Sequence, residues 1–200
     1  IINMRNKIIS NGGKINYNSK LEDIVIENNE VQSIVVNGET IPCKNLILAI
    51  GHSARDTFEM LSTKDLDMSA KPFAVGVRIE HPQKLIDIHQ YGEKYYKDLP
   101  PASYKLTYQT KQNRGVYSFC MCPGGYVVNA SSEEGLLAVN GMSNHARDTE
   151  NANSALVVTI SPDDFGNNPL DGIKFQRELE RKAYIEGNSL IPVQLYKDYK

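Results

Sequence analysis

The run from Asn45 to Gly51, NLILAIG, constrains the fold more than any other part of the chain. Leu46 to Ile50 is unbroken apolar sequence, the length of a strand buried on both faces. Gly51 ends it, and a helical pattern starts near Ser53, with Phe58 and Leu61 three apart and Asp56 and Glu59 in the early turns. A buried strand that stops at a glycine and becomes a helix N-terminus is where α/β proteins bring backbone close to a cofactor. An ordinary β–α turn without a ligand has the same local pattern, and one glycine falls short of a full glycine fingerprint.

The segments around this run set the class. Ile2 to Ile9 has helical period, with Ile1, Met4, Ile8 and Ile9 on one face, and Gly12-Gly13 as the stop. Lys14 to Asn18 and Leu21 to Glu27 alternate as strands do. Val31 to Val36 returns, and Asn37-Gly38 is a strong hairpin signal before Thr40 to Cys43. Beyond Leu61 the texture becomes polar and irregular to Lys71, a plausible domain boundary. Pro72 to Glu80 alternates, and Pro82 opens a helix closed by Gly92. Tyr104 to Thr110 pairs with Gly115 to Met121, and Tyr126 to Ala130 with Leu136 to Asn140, with Asn140-Gly141 as a turn. Ala155 to Ile160 is β-branched, Ser161-Pro162 caps a helix, and Asp171 to Glu186 is the clearest helix, with Glu178 and Lys182 four apart. The expectation is an α+β chain. Residues 1–65 form the end of a split α/β domain, a β-meander plus the buried strand. Residues 70–200 form a mainly antiparallel β domain with two main helices.

Composition excludes several classes. The chain has 200 residues, 40% of them apolar, enough for a folded core. The net charge is −2 and the basic residues are scattered, so no nucleic-acid footprint is present. No apolar run approaches the roughly 20 residues of a membrane-spanning helix. Three cysteines and no secretory signal favour reduced thiols in a cytoplasmic protein. The opening IINMRNKII has no initiator Met and is already in helical period, so it reads as cut from a longer protein.

Several residues stand out chemically. Cys120 and Cys122 precede Pro123-Gly124-Gly125. Zinc needs about four ligands, and only Cys43 and distant histidines remain. A redox or substrate-facing thiol therefore competes with a reading of both cysteines as small core residues. His52 and Arg55 follow the central glycine, and His145 and Arg147 lie in a similar run; an arginine in either loop could clamp a phosphate or carboxylate, or simply pair with its neighbouring Asp. Arg78 lies within an alternating apolar strand. Facing inward it needs a partner or an anionic ligand; facing outward it is only a solvated charge. Serine elbows, Walker loops and the dinucleotide glycine fingerprint are absent.

The runs LILAIGHSARDTFEML, KPFAVGVRIEHPQ, CMCPGGYVVNASSEEG, VNGMSNHARDTENANSALVV and PLDGIKFQRELERKA resemble the bacterial FAD-dependent dehydrogenases often called NAD(FAD)-utilising dehydrogenases. These belong to the glutathione-reductase-like flavoproteins with two dinucleotide-binding domains. The resemblance implies an upstream GxGxxG unit and a downstream FAD-contacting segment, both outside this chain. It implies FAD as cofactor, NAD(P)H as a candidate second one, and a small-molecule substrate whose identity stays open. It places Leu21 toward adenine and Ala49, Ile50, Gly51 and Ser53 toward the cofactor, with Ile50 where Thr is common. His52, His145 and Cys122 become the catalytic candidates. Arg78, Gly124, Gly125, Asn144 and Arg147 become the substrate-side candidates. A binding module with a structural flavin, or none, is the rival reading.

Overall fold

The computed structural model describes residues 1–198, and the chain divides into two compact units, Ile1–Leu66 and Asp67–Lys200. The fold is α+β, with antiparallel sheets throughout.

In the first unit, α1 (Ile2–Ser10) precedes a three-stranded antiparallel meander of β1 (Leu21–Glu27), β2 (Glu30–Val36) and β3 (Glu39–Pro42). α2 (Arg55–Ser62) follows and contacts β1. Asn37 and Gly38 take φ +49° and +81° between the paired Val36 and Glu39. Positive φ at both central positions is the type I′ turn that matches strand twist. Asn37 also reaches sideways. Its Nδ2 donates to the Asn18 carbonyl at 2.7 Å, and its Oδ1 accepts from the Lys20 amide at 2.9 Å. The core is small, with Ile24 at 3% and Leu61 at 7% exposure.

Two expectations fail in this unit, and a third element forms without burying its apolar face. Lys14 to Asn18 forms no strand; the segment is held to the hairpin by Asn37 instead. α1 forms as expected, but none of its residues is buried. Asn45 to Ile50 is neither strand nor buried: Ile47 is 90% exposed. A parallel-type strand needs hydrogen-bonded neighbours on its edges. Among the described residues none pairs with this run.

In the second unit, β4 (Phe73–Pro82), β5 (Thr107–Gln109), β6 (Gly115–Cys122) and β9 (Asn151–Ile160) form an antiparallel sheet in the order β4-β9-β6-β5. β7 (Gly125–Asn129) and β8 (Val139–Ser143) form a separate ribbon. α3 (Gln83–Tyr91) follows β4 directly, with Pro82 one place ahead of the helix rather than within it. Gly92 closes it at φ +79°. The short α4 (Pro162–Phe165) carries a capping box between Ser161 and Asp164. α5 (Asp171–Glu186) has the expected bounds. Phe73, Phe165 and Phe175 join β4 to both helices, with ring centroids 5.0 to 6.4 Å apart.

The ribbon differs from expectation. Leu136 and Leu137 are buried ahead of β8, and the Leu137 amide donates to the Glu180 carbonyl of α5 at 3.0 Å. The ladder therefore starts later, at Val139. Asn140-Gly141 is inside the strand, opposite Val128 and Val127, and makes no turn.

Candidate functional site

Arg78 faces inward. On β4 it pairs with Ala155 of β9, and its half-buried side chain runs diagonally to Asn153. Nε donates to Asn153 Oδ1 at 2.9 Å, Nη1 to Asn140 Oδ1 at 3.3 Å, and Nη2 to the Cys120 carbonyl at 2.6 Å. Nη2 also lies 3.6 Å from Cys122 Sγ. Every partner is neutral, and among the described residues no carboxylate lies within ion-pair range of Arg78. A half-buried cation satisfied only by neutral dipoles retains its capacity to attract an anion.

Asn153 is completely buried, and its Oδ1 is committed to Arg78. That orientation leaves Nδ2 without a hydrogen-bond partner among the described residues. Gly141 of β8 permits this packing. A Cβ there would collide with Asn153 Oδ1 and with the Arg78 guanidinium.

β6 is irregular beside Arg78. Its pairing with β9 slips between Phe119 and Cys122, and Cys120 takes φ +45°. A left-handed conformation costs a non-glycine residue roughly 1–2 kcal/mol. The Cys122 thiol turns back and donates to the Cys120 carbonyl at 3.3 Å. Cys120 is exposed and Cys122 half-buried, so neither is the small core residue that the sequence allowed for.

The loop that follows is pinned by a buried glutamine. Gln83 Oε1 accepts from the Gly124 amide at 2.9 Å, while Nε2 donates to Asp87 Oδ1 at 2.7 Å and to the Ala102 carbonyl at 2.9 Å. Gly124 takes φ +49°, and a Cβ on it would run into the Arg147 carbonyl. Gly125 is buried and pairs with Ser143. Backbone from the Gly124-Gly125 turn is thereby brought against the Asn144 to Arg147 loop. The Asn144, His145 and Arg147 side chains are exposed. A cleft of about 570 Å³ lies beside them, lined by Asn144 and Asn151 together with Glu80, Asp148 and Glu150. Among the described residues no group of three or more His, Cys, Asp or Glu could hold a metal ion.

On β4's other face, His81 Nε2 meets Tyr104 Oη at 2.9 Å. Burial pushes the Tyr104 phenol up from its ordinary value; a hydrogen bond from Ser154 and the Arg78 charge pull the other way.

In the first unit, His52 is exposed and its Nδ1 lies 2.9 Å from Ser53 Oγ. Ala49, Ile50, Gly51 and Ser53 are exposed, and Leu21 at the start of β1 is half-buried. Gly51 takes φ +72°, and a Cβ there would meet nothing within 4 Å.

The structure therefore brings together Arg78 with Cys122, and Gly124 and Gly125 with the Asn144–Arg147 loop. Sequence reasoning missed Asn153, Gln83, His81 and Tyr104 as site residues. Nothing in the sequence marks Asn153, because Asn151 and Ser154 beside it make this end of β9 read as polar surface.

Sheet, ribbon and flanking helices define a β-rich α+β domain built around an uncompensated arginine. The chain belongs to the family described as FAD-dependent protein, C-terminal domain-like, whose model matches residues 72–200. An uncharacterized protein of Clostridium beijerinckii is 57% identical over 202 aligned residues, which cover 98% of this chain and 38% of that protein. The chain thus spans well under half the length of this relative. Among the described residues no helix is long and apolar enough to cross a membrane.

Proposed function

We propose that this chain is part of a flavin-dependent oxidoreductase of the NAD(FAD)-utilising dehydrogenase kind, acting on a small molecule in the cytoplasm. The family match over residues 72–200 carries this reading. In the first unit, the open turn at Gly51 fits a cofactor contact, because its left-handed backbone has free space beside it. Leu21, Ala49, Ile50, Gly51 and Ser53 are the residues that would hold FAD. When bound, the flavin supplies hydride transfer, with NAD(P)H as the hydride source in this reading.

In the second unit, Arg78 supports recognition of a substrate with an anionic group, since its charge is met only by neutral acceptors. Gly124 and Gly125 shape the turn beside it, and Asn144 and Arg147 supply the exposed polar groups of the neighbouring loop. His145 in this unit, His52 in the first or the Cys122 thiol is the candidate proton carrier of the proposal.

The test is the visible spectrum of the full-length protein purified beside this chain. The expected result is a yellow protein that bleaches with NAD(P)H and recovers with an oxidised acceptor. A protein that stays colourless after addition of FAD would sink the reading, and the chain would then be a ligand- or partner-binding module. If the protein is active, alanine at both His52 and His145 is expected to slow turnover about 100-fold or more, the usual scale of acid–base catalysis. Unchanged turnover would remove both from the mechanism.

A further inference from the structure

The irregular segment of β6 carries a second chemistry that does not depend on flavin. We propose that Cys120 and Cys122 form a dithiol–disulfide couple that exchanges with small disulfides of the glutathione type.

Three observations converge on the pair. The first is reach. A disulfide needs Cα atoms about 4.4–6.8 Å apart, whereas two residues of a fully extended strand advance about 6.4–6.8 Å, at the edge of that range. The pair sits at that limit, so closure needs only a small bend between them, and this stretch is where the ladder to β9 is interrupted. The second is direction. Cys122 Sγ is already folded back on the Cys120 carbonyl at 3.3 Å, so the inner sulfur lies over the residue it must bond. The third is access. Cys120 is exposed and Cys122 is not, which separates an attacking thiol from a resolving one.

Backbone freedom and charge support the same sequence of events. The ladder to β9 is interrupted between Phe119 and Cys122 and resumes at Cys122, opposite Asn153. Residue 120 can therefore adjust while Cys122 stays anchored. Arg78 Nη2 touches both members, the carbonyl of Cys120 and the sulfur of Cys122. A fixed cation there faces the negative charge that the inner sulfur carries as thiolate before it attacks.

The chemistry balances in two steps. The Cys120 thiolate attacks the small disulfide, forming a mixed disulfide and expelling one thiolate. The Cys122 thiolate then attacks Cys120 Sγ, closing the intramolecular bond and expelling the second. The pair loses two electrons and two protons, and the small disulfide becomes two thiols.

Trypsin isolates the pair. No Lys or Arg lies between Arg114 and Arg147, so the peptide Gly115–Arg147 contains both cysteines and excludes Cys43. The Cys43→Ser chain, incubated with glutathione disulfide, acid-quenched, alkylated and digested, is expected to yield this peptide two hydrogens lighter and without alkyl groups. A peptide carrying glutathione on either sulfur, or alkylated on both, would overturn the proposal. Cys122→Ser is expected to accumulate a glutathione adduct on Cys120; failure to do so would refute the order of attack. Closure in the folded chain should be favoured about tenfold or more over the same chain in urea, because a preorganised pair raises the effective concentration. Equal closure in both would mean that the irregular strand contributes nothing, and the couple would not be a property of the fold.

Discussion

Arg78 and Asn153 lie on adjacent antiparallel strands and hold each other in one orientation: the guanidinium Nε donates to Asn153 Oδ1 at 2.9 Å, and Asn153 is completely buried. The amide cannot rotate to satisfy its own Nδ2 without presenting a donor to a donor. Asn153→Ala leaves a half-buried cation short of one acceptor. It is expected to destabilise the chain by about 2–3 kcal/mol, the scale of a hydrogen bond to a charged group. Urea unfolding of the two proteins measures it, and a loss below about 0.5 kcal/mol, the scale of an ordinary surface change, would mean that Arg78 finds a replacement partner.

Gly141 tests the same contact from the ribbon side. A Cβ on Gly141 would strike both Asn153 Oδ1 and the guanidinium, whereas one on Gly115 would come no closer than 3.8 Å to anything. Gly141→Ala is therefore expected to lower stability by about 1–3 kcal/mol, as overpacking does. Gly115→Ala should change it far less. Equal effects in thermal unfolding would contradict the close packing of β8 on Arg78.

Gln83 satisfies three groups at once, and its replacement by Leu would strand them. The Gly124 amide and the Ala102 carbonyl lose their partners in a buried setting. Gln83→Leu is expected to cost about 2–4 kcal/mol, since each stranded buried group costs about 1–3 kcal/mol. Amide hydrogen exchange at Gly124 should accelerate along with it; unchanged exchange there would show that the glutamine does not hold the turn.

Asp164 gives the chain an acid-sensitive contact. Arg114 beside it, through a charge-assisted hydrogen bond, and the Ser161 amide hold its carboxyl down at about 2, from 3.8. Because the folded value is the lower one, the stabilisation is complete above about pH 4, declines as pH falls from 3.8 toward 2, and vanishes below that. Asp164→Asn should be less stable than the parent at pH 7, with the difference closing as pH approaches 2. A difference independent of pH across that window would assign the effect to helix capping by a neutral oxygen.

Much of the fold was legible because its signals are local. The alternation in Leu21–Glu27 and the Asn-Gly pair specified the meander, and the period of Asp171–Glu186 specified α5. What failed depends on neighbours. The Asn45–Ile50 run has strand composition, but no paired edge among the described residues gives it a ladder. Leu136 and Leu137 have strand composition too, yet α5 takes them before β8 begins. Asn140-Gly141 looked like a turn because glycine also marks close approach, and only the arginine across the interface tells the two apart. Arg78 was visible as a charge in an apolar strand. Asn153 and Gln83 were not, since an amide on a strand or a first helical turn reads as surface until its partners are seen.

The hairpin tip limits what substitution can do there. Asp-Gly or Gly-Gly would serve the type I′ turn at Asn37-Gly38 as well as Asn-Gly does. Neither reproduces the side chain that gives a hydrogen to Asn18 and takes one from Lys20. Asparagine and glycine are synonyms for the turn and antonyms for the segment next to it. The substitution Asn37→Gly would keep the meander and release the stretch that leads into it, so two chains with the same sheet would differ in how readily a protease cuts ahead of Leu21.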